Sequence, residues 1–368
     1  MKSEARYLLS LVAGFVFASL AMLAFNLLVD PLWYVSGNAL GRYNFAFNER
    51  LSKINLLKSQ GYQYDCLLFG DSRVSLLDAR QIEGFDCFNL AFSDGTIGEF
   101  NSYARYLGSR MDGIRLVVLG LDRRNFTSAA PEGEVPDFVA SNADPPGALK
   151  SYLSIDSFVF SLRTLLGDSP FPRAYDSGFT VTVLDSAPRY RPQMREPQAE
   201  MPYSLENLSY FGEFRSLFPD ARVLAYVPPL SVWEIASLER AGVLDSYLTA
   251  VHGVSAVLSP LYDFAFPSSV TARCDNTYDG GHYYPATNDS IAKAIVTGVP
   301  GFGIRVDTLT VEEYLRRYHE ALDLEWQSDS RAQCESGVPS PSPRIAVASP
   351  VRESGKAFVR TSGSPAFR

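Results

Sequence analysis

The chain has 368 residues, 46% of them apolar and 13% aromatic, enough for one large core or two modest ones. Its net charge of -8, with no basic stripe dense enough to track phosphates, argues against a nucleic-acid partner. Four cysteines and three histidines fall in no zinc-site spacing, so neither a metal nor a cofactor is expected.

In chain order, residues 1–6 form a short terminus carrying Lys2 and Arg6, and Tyr7 to Val29 run 23 positions without a charge. As a helix this run is roughly 34 Å long, enough to cross a hydrocarbon core of about 30 Å. Asp30-Pro31 ends it, and Trp33 and Tyr34 follow at interfacial depth. The apolar run is longer than that of a cleaved signal and its end, Ala24-Phe25-Asn26-Leu27, offers no clean cleavage site, so an uncleaved anchor is expected. Positive charge on the short side predicts a cytoplasmic N-terminus at the bacterial plasma membrane, with the rest of the chain on the periplasmic side. In that oxidising compartment a Cys66–Cys87 bridge is conceivable, and buried free thiols are the competing account.

Residues 30–63 connect anchor to body, with a short helix expected over Asn48 to Gln60. Within 64–300, short apolar runs predict strands at Asp65 to Phe69, Phe85 to Phe92, Arg115 to Leu121, Ala221 to Val227 and Ser255 to Leu258. Helical patterns fill the intervals over Leu76 to Gln81, Ile97 to Met111, Leu205 to Phe218, Val232 to Val251 and Ala286 to Val296. This alternation predicts an α/β domain: a parallel sheet with helices on both faces. Residues 127–219 interrupt it as an insertion with an apolar helix near Leu149 to Leu166. It is either a lid or substrate-recognising excursion or a peripheral subdomain. In 301–326, Thr310-Val311-Glu312-Glu313 reads as a capping box, opening a helix with Val311, Tyr314, Leu315, Tyr318 and Leu322 on one face. The tail 327–368 turns to Ser, Pro, Arg and Gly without periodicity and is expected to be disordered.

The chemistry lies in loops that such a sheet gathers at the carboxyl ends of its strands. Gly70-Asp71-Ser72 follows the first strand, Ser93-Asp94-Gly95 the second and Gly120-Leu121-Asp122 the third; Asp279-Gly280-Gly281-His282 closes the domain. A serine hydroxyl needs an imidazole to take its proton, and the imidazole needs a carboxylate to fix its tautomer. Of the three histidines only His282 has an Asp three residues before it in a Gly-rich loop. Asp71 is read as shaping its turn, His252 as a helix-end residue, and Tyr283 and Tyr284 as packing or sugar-stacking side chains.

With Phe69 to Ser72, Asn89 to Thr96 (NLAFSDGT), Gly120 to Asp122 and Asp279 to His282 as its four blocks, the chain resembles the SGNH/GDSL hydrolase family over about residues 64 to 297. The resemblance implies a flavodoxin-like three-layer α/β/α sandwich, with Ser72 as nucleophile, His282 as base and Asp279 as its orienting carboxylate. It also implies an oxyanion hole from the N–H groups of Ser72 and the second-block Gly, whose place falls on Asp94 with Gly95 next, and from a third-block Asn. Here that Asn is replaced by Asp122. A missing donor costs roughly 2.7–4 kcal/mol, and a carboxylate about 4 Å from the oxyanion adds repulsion on the order of 4 kcal/mol at an effective dielectric of 20. Activity therefore requires Asp122 either to point away or to be neutralised, with Arg73, Arg123 and Arg124 near enough in sequence to pair with it and Asn125 as a candidate displaced donor.

Membrane-anchored members of the family include alginate O-acetylation proteins and the D-alanyl transfer protein of teichoic acids. By that resemblance this chain is expected to be a serine esterase or O-acyltransferase acting on ester groups of a cell-envelope or exported polysaccharide through an acyl-Ser72 intermediate. Its partners would be a glycan or acyl-ester substrate and a membrane-embedded acyl donor protein. The alternative is a catalytically inactive glycan-binding or scaffold subunit, for which Asp122 argues.

Overall fold

A computed structural model describes residues 2–128, 133–194, 202–328 and 334. The first helix, α1 (Lys2–Val29), is the one helix among them long and apolar enough to cross a bilayer, and its side chains from Ser3 to Ala18 are exposed. Helix α2 (Glu49–Ser59) starts where the Asn48 side chain accepts from Leu51 N–H, 3.1 Å. The α/β body then runs β1 (Cys66–Phe69), β2 (Cys87–Asn89), α3 (Ile97–Gly108) and β3 (Leu116–Gly120). The insertion supplies α4 (Asp137–Ala140), α5 (Ala148–Tyr152), α6 (Ile155–Leu166), β4 (Arg173–Tyr175) and β5 (Val181–Val183). After it come α7 (Leu208–Ser216), β6 (Arg222–Val227), α8 (Val232–Arg240), α9 (Leu244–Ser255), β7 (Leu261–Asp263), α10 (Pro285–Thr297), β8 (Ile304–Arg305) and α11 (Val311–Trp326).

The main sheet has the order β2-β1-β3-β6-β7-β8, parallel through the first five strands and antiparallel at the β8 edge. Alternate residues point to opposite faces, so Leu67, Phe69, Val117 and Val223 join one apolar cluster with α2, α3, α7, α8, α9 and α11. Cys66, Leu68, Val118 and Leu224 join a second with α10 on the other side. Helices therefore cover both faces of a mostly parallel sheet. β4 and β5 form a separate antiparallel pair.

Several expected boundaries move. Leu76 to Gln81 folds as two 3₁₀ turns, Val74–Leu76 and Ala79–Gln81, instead of one helix. Val232 to Val251 splits into α8 and α9 because Gly242, with φ +71°, ends the first in the left-handed conformation. Leu149 to Leu166 splits likewise, with Ser154 capping α6 through Ser157 N–H. Ser255 to Leu258 is not a strand: Val257 and Leu258 donate to Val254 in the last turn of α9, and the strand is β7. By periodicity alone, a run this short reads the same at a helix end as in a strand.

Cys66 and Cys87 face each other in register on β1 and β2 and are bonded. Cys274 is bonded to Cys334, a pair the spacing did not suggest. Thr310 caps α11 through Glu313 N–H, 3.2 Å, and α11 buries Tyr314, Tyr318 and Leu322. Apart from Cys334, the tail from residue 329, where disorder is expected, lies outside the described residues.

Candidate active site

After β1 the backbone turns at once. Val74 and Ser75 N–H both donate to the Asp71 carbonyl, 3.1 and 3.2 Å, and the Asp71 carboxylate accepts from Arg73 N–H, 2.9 Å. Asp71 thus shapes the turn that carries Ser72. Val74 pins it from below: a Cβ at Gly70 or at Gly120 would lie 2.3 or 2.2 Å from Val74 Cγ2. Only glycine at the ends of β1 and β3 leaves room for that side chain.

The His282 loop is closed by its own hydrogen bonds. Thr277 Oγ1 and Tyr278 N–H donate to the His282 carbonyl, 2.7 and 3.2 Å, and Asp279 Oδ1 accepts from Gly281 and His282 N–H, 3.0 and 2.8 Å. Gly280 takes φ +93°. The Tyr278 ring lies nearly parallel to the imidazole, 5.3 Å between centroids and 7° between planes.

The two loops meet. Ser72 Oγ lies 2.7 Å from His282 Nε2, and His282 Nδ1 lies 2.7 Å from Asp279 Oδ2. A carboxylate at Nδ1 holds the proton there and leaves Nε2 to accept from the serine hydroxyl. Burial acts to raise the Asp279 carboxyl, but its hydrogen bonds from the His282 ring and from two backbone N–H groups outweigh this and hold it down at about 2. All three side chains are half-buried and so reachable from solvent. The other histidines are engaged elsewhere: His252 Nε2 with the Leu309 carbonyl, and His319 with Glu239 and Asp245. Tyr283 is buried, and Asp275 pairs with Arg273.

The second loop separates Asp94 from Gly95. Asp94 takes φ +61°, a conformation natural to glycine, and its N–H donates to no acceptor among the described residues. Gly95 N–H is used by the Phe92 carbonyl, 3.2 Å, and a Cβ there would meet the Phe100 ring at 2.5 Å. Asp94 therefore presents a free N–H, and Gly95 is a packing residue. Ser72 N–H is likewise without an acceptor among the described residues.

Asp122 is buried and held on both oxygens. Oδ1 accepts from Arg124 N–H and Asn125 Nδ2, 3.1 and 3.0 Å; Oδ2 faces Arg73 Nη1 and Arg124 Nε, each at 3.4 Å. Asn125 also accepts from Ile97 N–H, 2.8 Å, so its amide links Asp122 to the α3 start. Arg73 Nη1 lies 3.7 Å from Asp71 Oδ2 as well, and Arg73 Nε approaches the Cα hydrogen side of Gly281, where a Cβ would be 3.1 Å away. Arg124 reaches on to Asp94, 2.8 Å.

One contributor carried no motif. Arg173, on β4 of the insertion and 2% exposed, donates through Nη1 to the Ser72 carbonyl and to Ser75 Oγ, both 2.9 Å, and through Nη2 to Ser93 Oγ, 3.3 Å. Tyr190, also from the insertion, bonds Ser231 Oγ at 2.8 Å with its ring against Gly280. The insertion is thus wired to the motif loops. A shallow cleft at the opposite, amino-terminal edge of the sheet, between Met111 and Pro219, holds Asp112 and Asp220 but neither serine nor histidine.

No family model matches the chain, and no curated protein matches it. The site's geometry therefore carries the functional reading.

Proposed function

We propose that the protein is a membrane-anchored serine esterase or O-acyltransferase of the SGNH/GDSL type, acting on ester groups of a cell-envelope or exported polysaccharide. The observation that carries this reading is the relay of 2.7 Å contacts from Ser72 through His282 to Asp279, built by loops 210 residues apart. Ser72 Oγ attacks the ester carbonyl carbon as its proton passes to His282 Nε2. The tetrahedral oxyanion is held by Ser72 and Asp94 N–H. His282 returns the proton to the departing alkoxide, leaving acyl-Ser72, and water or a sugar hydroxyl then resolves the ester by the same steps.

Three further features support it. The parallel strands run in the order 2-1-3 followed by β6 and β7, as in a flavodoxin-like sandwich, with the motif loops at their carboxyl ends. Two disulfides suit an oxidising compartment beyond an N-terminal anchor. Two arginines on Asp122 offset the charge that stands where the family has an amide.

Asp122 is also the observation that favours a second reading, a glycan-binding or scaffold subunit with the same fold and no turnover. A serine-reactive fluorophosphonate separates them. With the full chain in detergent, the enzyme reading expects an adduct mass on Ser72, lost in Ser72→Ala, together with turnover of an aryl acetate. No adduct and no turnover from folded protein gives the scaffold.

A further inference from the structure

Helix α6 is amphipathic in the sense opposite to a helix on a water-soluble body. It buries Ser157, Ser161 and Thr164, and it exposes Ile155 (75%), Phe158, Val159, Leu162, Leu165 and Leu166 (73%). A helix seated on a soluble core turns its apolar stripe inward. The α6 side chains facing outward form an apolar patch larger than scattered surface leucines explain.

What α6 packs on identifies what covers it. Its nearest helix is α1, and the contact is polar: Ser161 Oγ donates to Asn26 Oδ1, 2.7 Å, and Asn26 Nδ2 donates to the Tyr152 carbonyl at the end of α5, 2.8 Å. Asn26 is fully buried inside the uncharged run of α1, with the Phe25 and Phe158 rings 5.6 Å apart beside it. Small and hydroxylated residues at the seam, one amide as glue and large apolar residues outside is how helices pair in lipid. The last turn of α1, next in sequence to Asn26, also exposes Leu27 and Leu28. Twelve residues make about 18 Å, too short to cross about 30 Å of hydrocarbon, so α6 stays within one leaflet. Its charges are placed accordingly: Asp156 is in the first turn, and Arg163 pairs with Asp168 beyond the last, 2.7 Å.

We propose that α5 and α6 are a second membrane-contacting element, a monotopic hairpin seated beside the carboxyl end of α1, with lipid acyl chains as its partner. The inference rests on α1 spanning the bilayer and is independent of the chemistry at Ser72. It brings the site to the bilayer surface, because only seven positions separate Leu166 from Arg173, a span of at most about 25 Å.

All four native cysteines are in disulfides, so one introduced cysteine is the single reactive thiol. Full-length Leu162→Cys and Val159→Cys, labelled with bimane and reconstituted in phosphatidylcholine–phosphatidylglycerol vesicles, are compared with Lys293→Cys on the exposed side of α10. Nitroxides on the acyl chains are expected to quench both α6 labels several-fold more strongly than the control. In native membranes the same unlabelled cysteines are expected to resist an impermeant maleimide that modifies Lys293→Cys in opened vesicles. Quenching equal to the control overturns the proposal in favour of a solvated helix. Strong maleimide protection without acyl-chain quenching overturns it in favour of a protein partner.

Discussion

Asp122 is where chemistry and fold pull hardest against each other. Its carboxylate is buried at the third motif loop, and its Oδ2 faces Arg73 and Arg124 at 3.4 Å, longer than a well-formed charge-assisted bond. Arg73 serves Asp71 too, and the burial that pushes the Asp71 carboxyl up is opposed by this same guanidinium, with Asp122 adding to the push. Removing Arg73 leaves two buried carboxylates with one arginine fewer. Arg73→Ala is therefore expected to slow Ser72 phosphonylation at least tenfold, equivalent to about 1.4 kcal/mol. Adding Asp122→Asn removes the charge and supplies an amide, so the double variant should recover most of that loss. A double variant as slow as the single one would instead place the role of Arg73 in packing against Gly281. Sequence made Ser72, His282 and Asp279 legible because each sits in a short motif whose spacing is local. Arg173 was not, because an arginine in an irregular insertion has no periodicity to mark what it reaches.

Among the elements, α2 has the least ordinary face. Beside Ile54, Leu56 and Leu57 it buries Glu49, Ser52, Lys53 and Asn55. Each long polar group has a distant backbone or hydroxyl partner: Glu49 takes Ser93 N–H at 2.5 Å and Tyr175 O–H at 3.1 Å, Lys53 donates to the Ala91 carbonyl, and Asn55 donates to the Leu32 carbonyl at 2.9 Å. The helix is a polar strut joining the segment after α1 to the second motif loop and to β4. Its position was readable from Asn48 and the apolar spacing; that its buried face is ionic was not, because pattern reading places charges outside. Burial pushes the Lys53 amine down to about 7, against the pull of Glu49 and with Arg173 adding to the push. Between about pH 7 and the ordinary 10.5 the unfolded chain holds a proton that the folded chain lacks, so stability rises with pH across that window. The slope is at most about 1.4 kcal/mol per pH unit. Lys53→Met should lack this rise, its stability relative to the unsubstituted chain being greatest near pH 7 and shrinking toward pH 10. Urea midpoints at pH 7, 8 and 9 read this directly; an offset that does not change with pH would mean the amine stays charged against Glu49.

Across the whole molecule, α1 and the candidate site are parts of one hydrogen-bonded framework. The long apolar helix α1 was plain in the sequence, since 23 uncharged residues need no tertiary information to be recognised. Its junction with the body was not, because it depends on residues a hundred positions away. The Asp30 carboxylate accepts from the N–H groups of Tyr34, Val35, Ser36 and Gly37 at 2.7–3.0 Å and from the Tyr152 hydroxyl. Asn44 donates to the Val29 and Asp30 carbonyls, 3.1 and 2.8 Å, and its backbone bridges Tyr175 on the strand that carries Arg173. A carboxylate is suited to this junction because its two oxygens, with about four lone-pair sites, accept more than an amide or hydroxyl and can share four backbone donors and a phenol. Asp30→Ala leaves those donors without their acceptor in a turn that is buried at Gly37 and at the Tyr152 ring, a loss on the order of 4 kcal/mol. For a body of this size that corresponds to a fall of about 6 °C in the midpoint of thermal unfolding. Asp30→Asn keeps one acceptor oxygen and should fall by less than half as much. Thermal scanning of the three full-length proteins in the same detergent orders them; an Asp30→Ala midpoint equal to that of the unsubstituted chain would mean that α1 joins the body without this junction bearing on its stability.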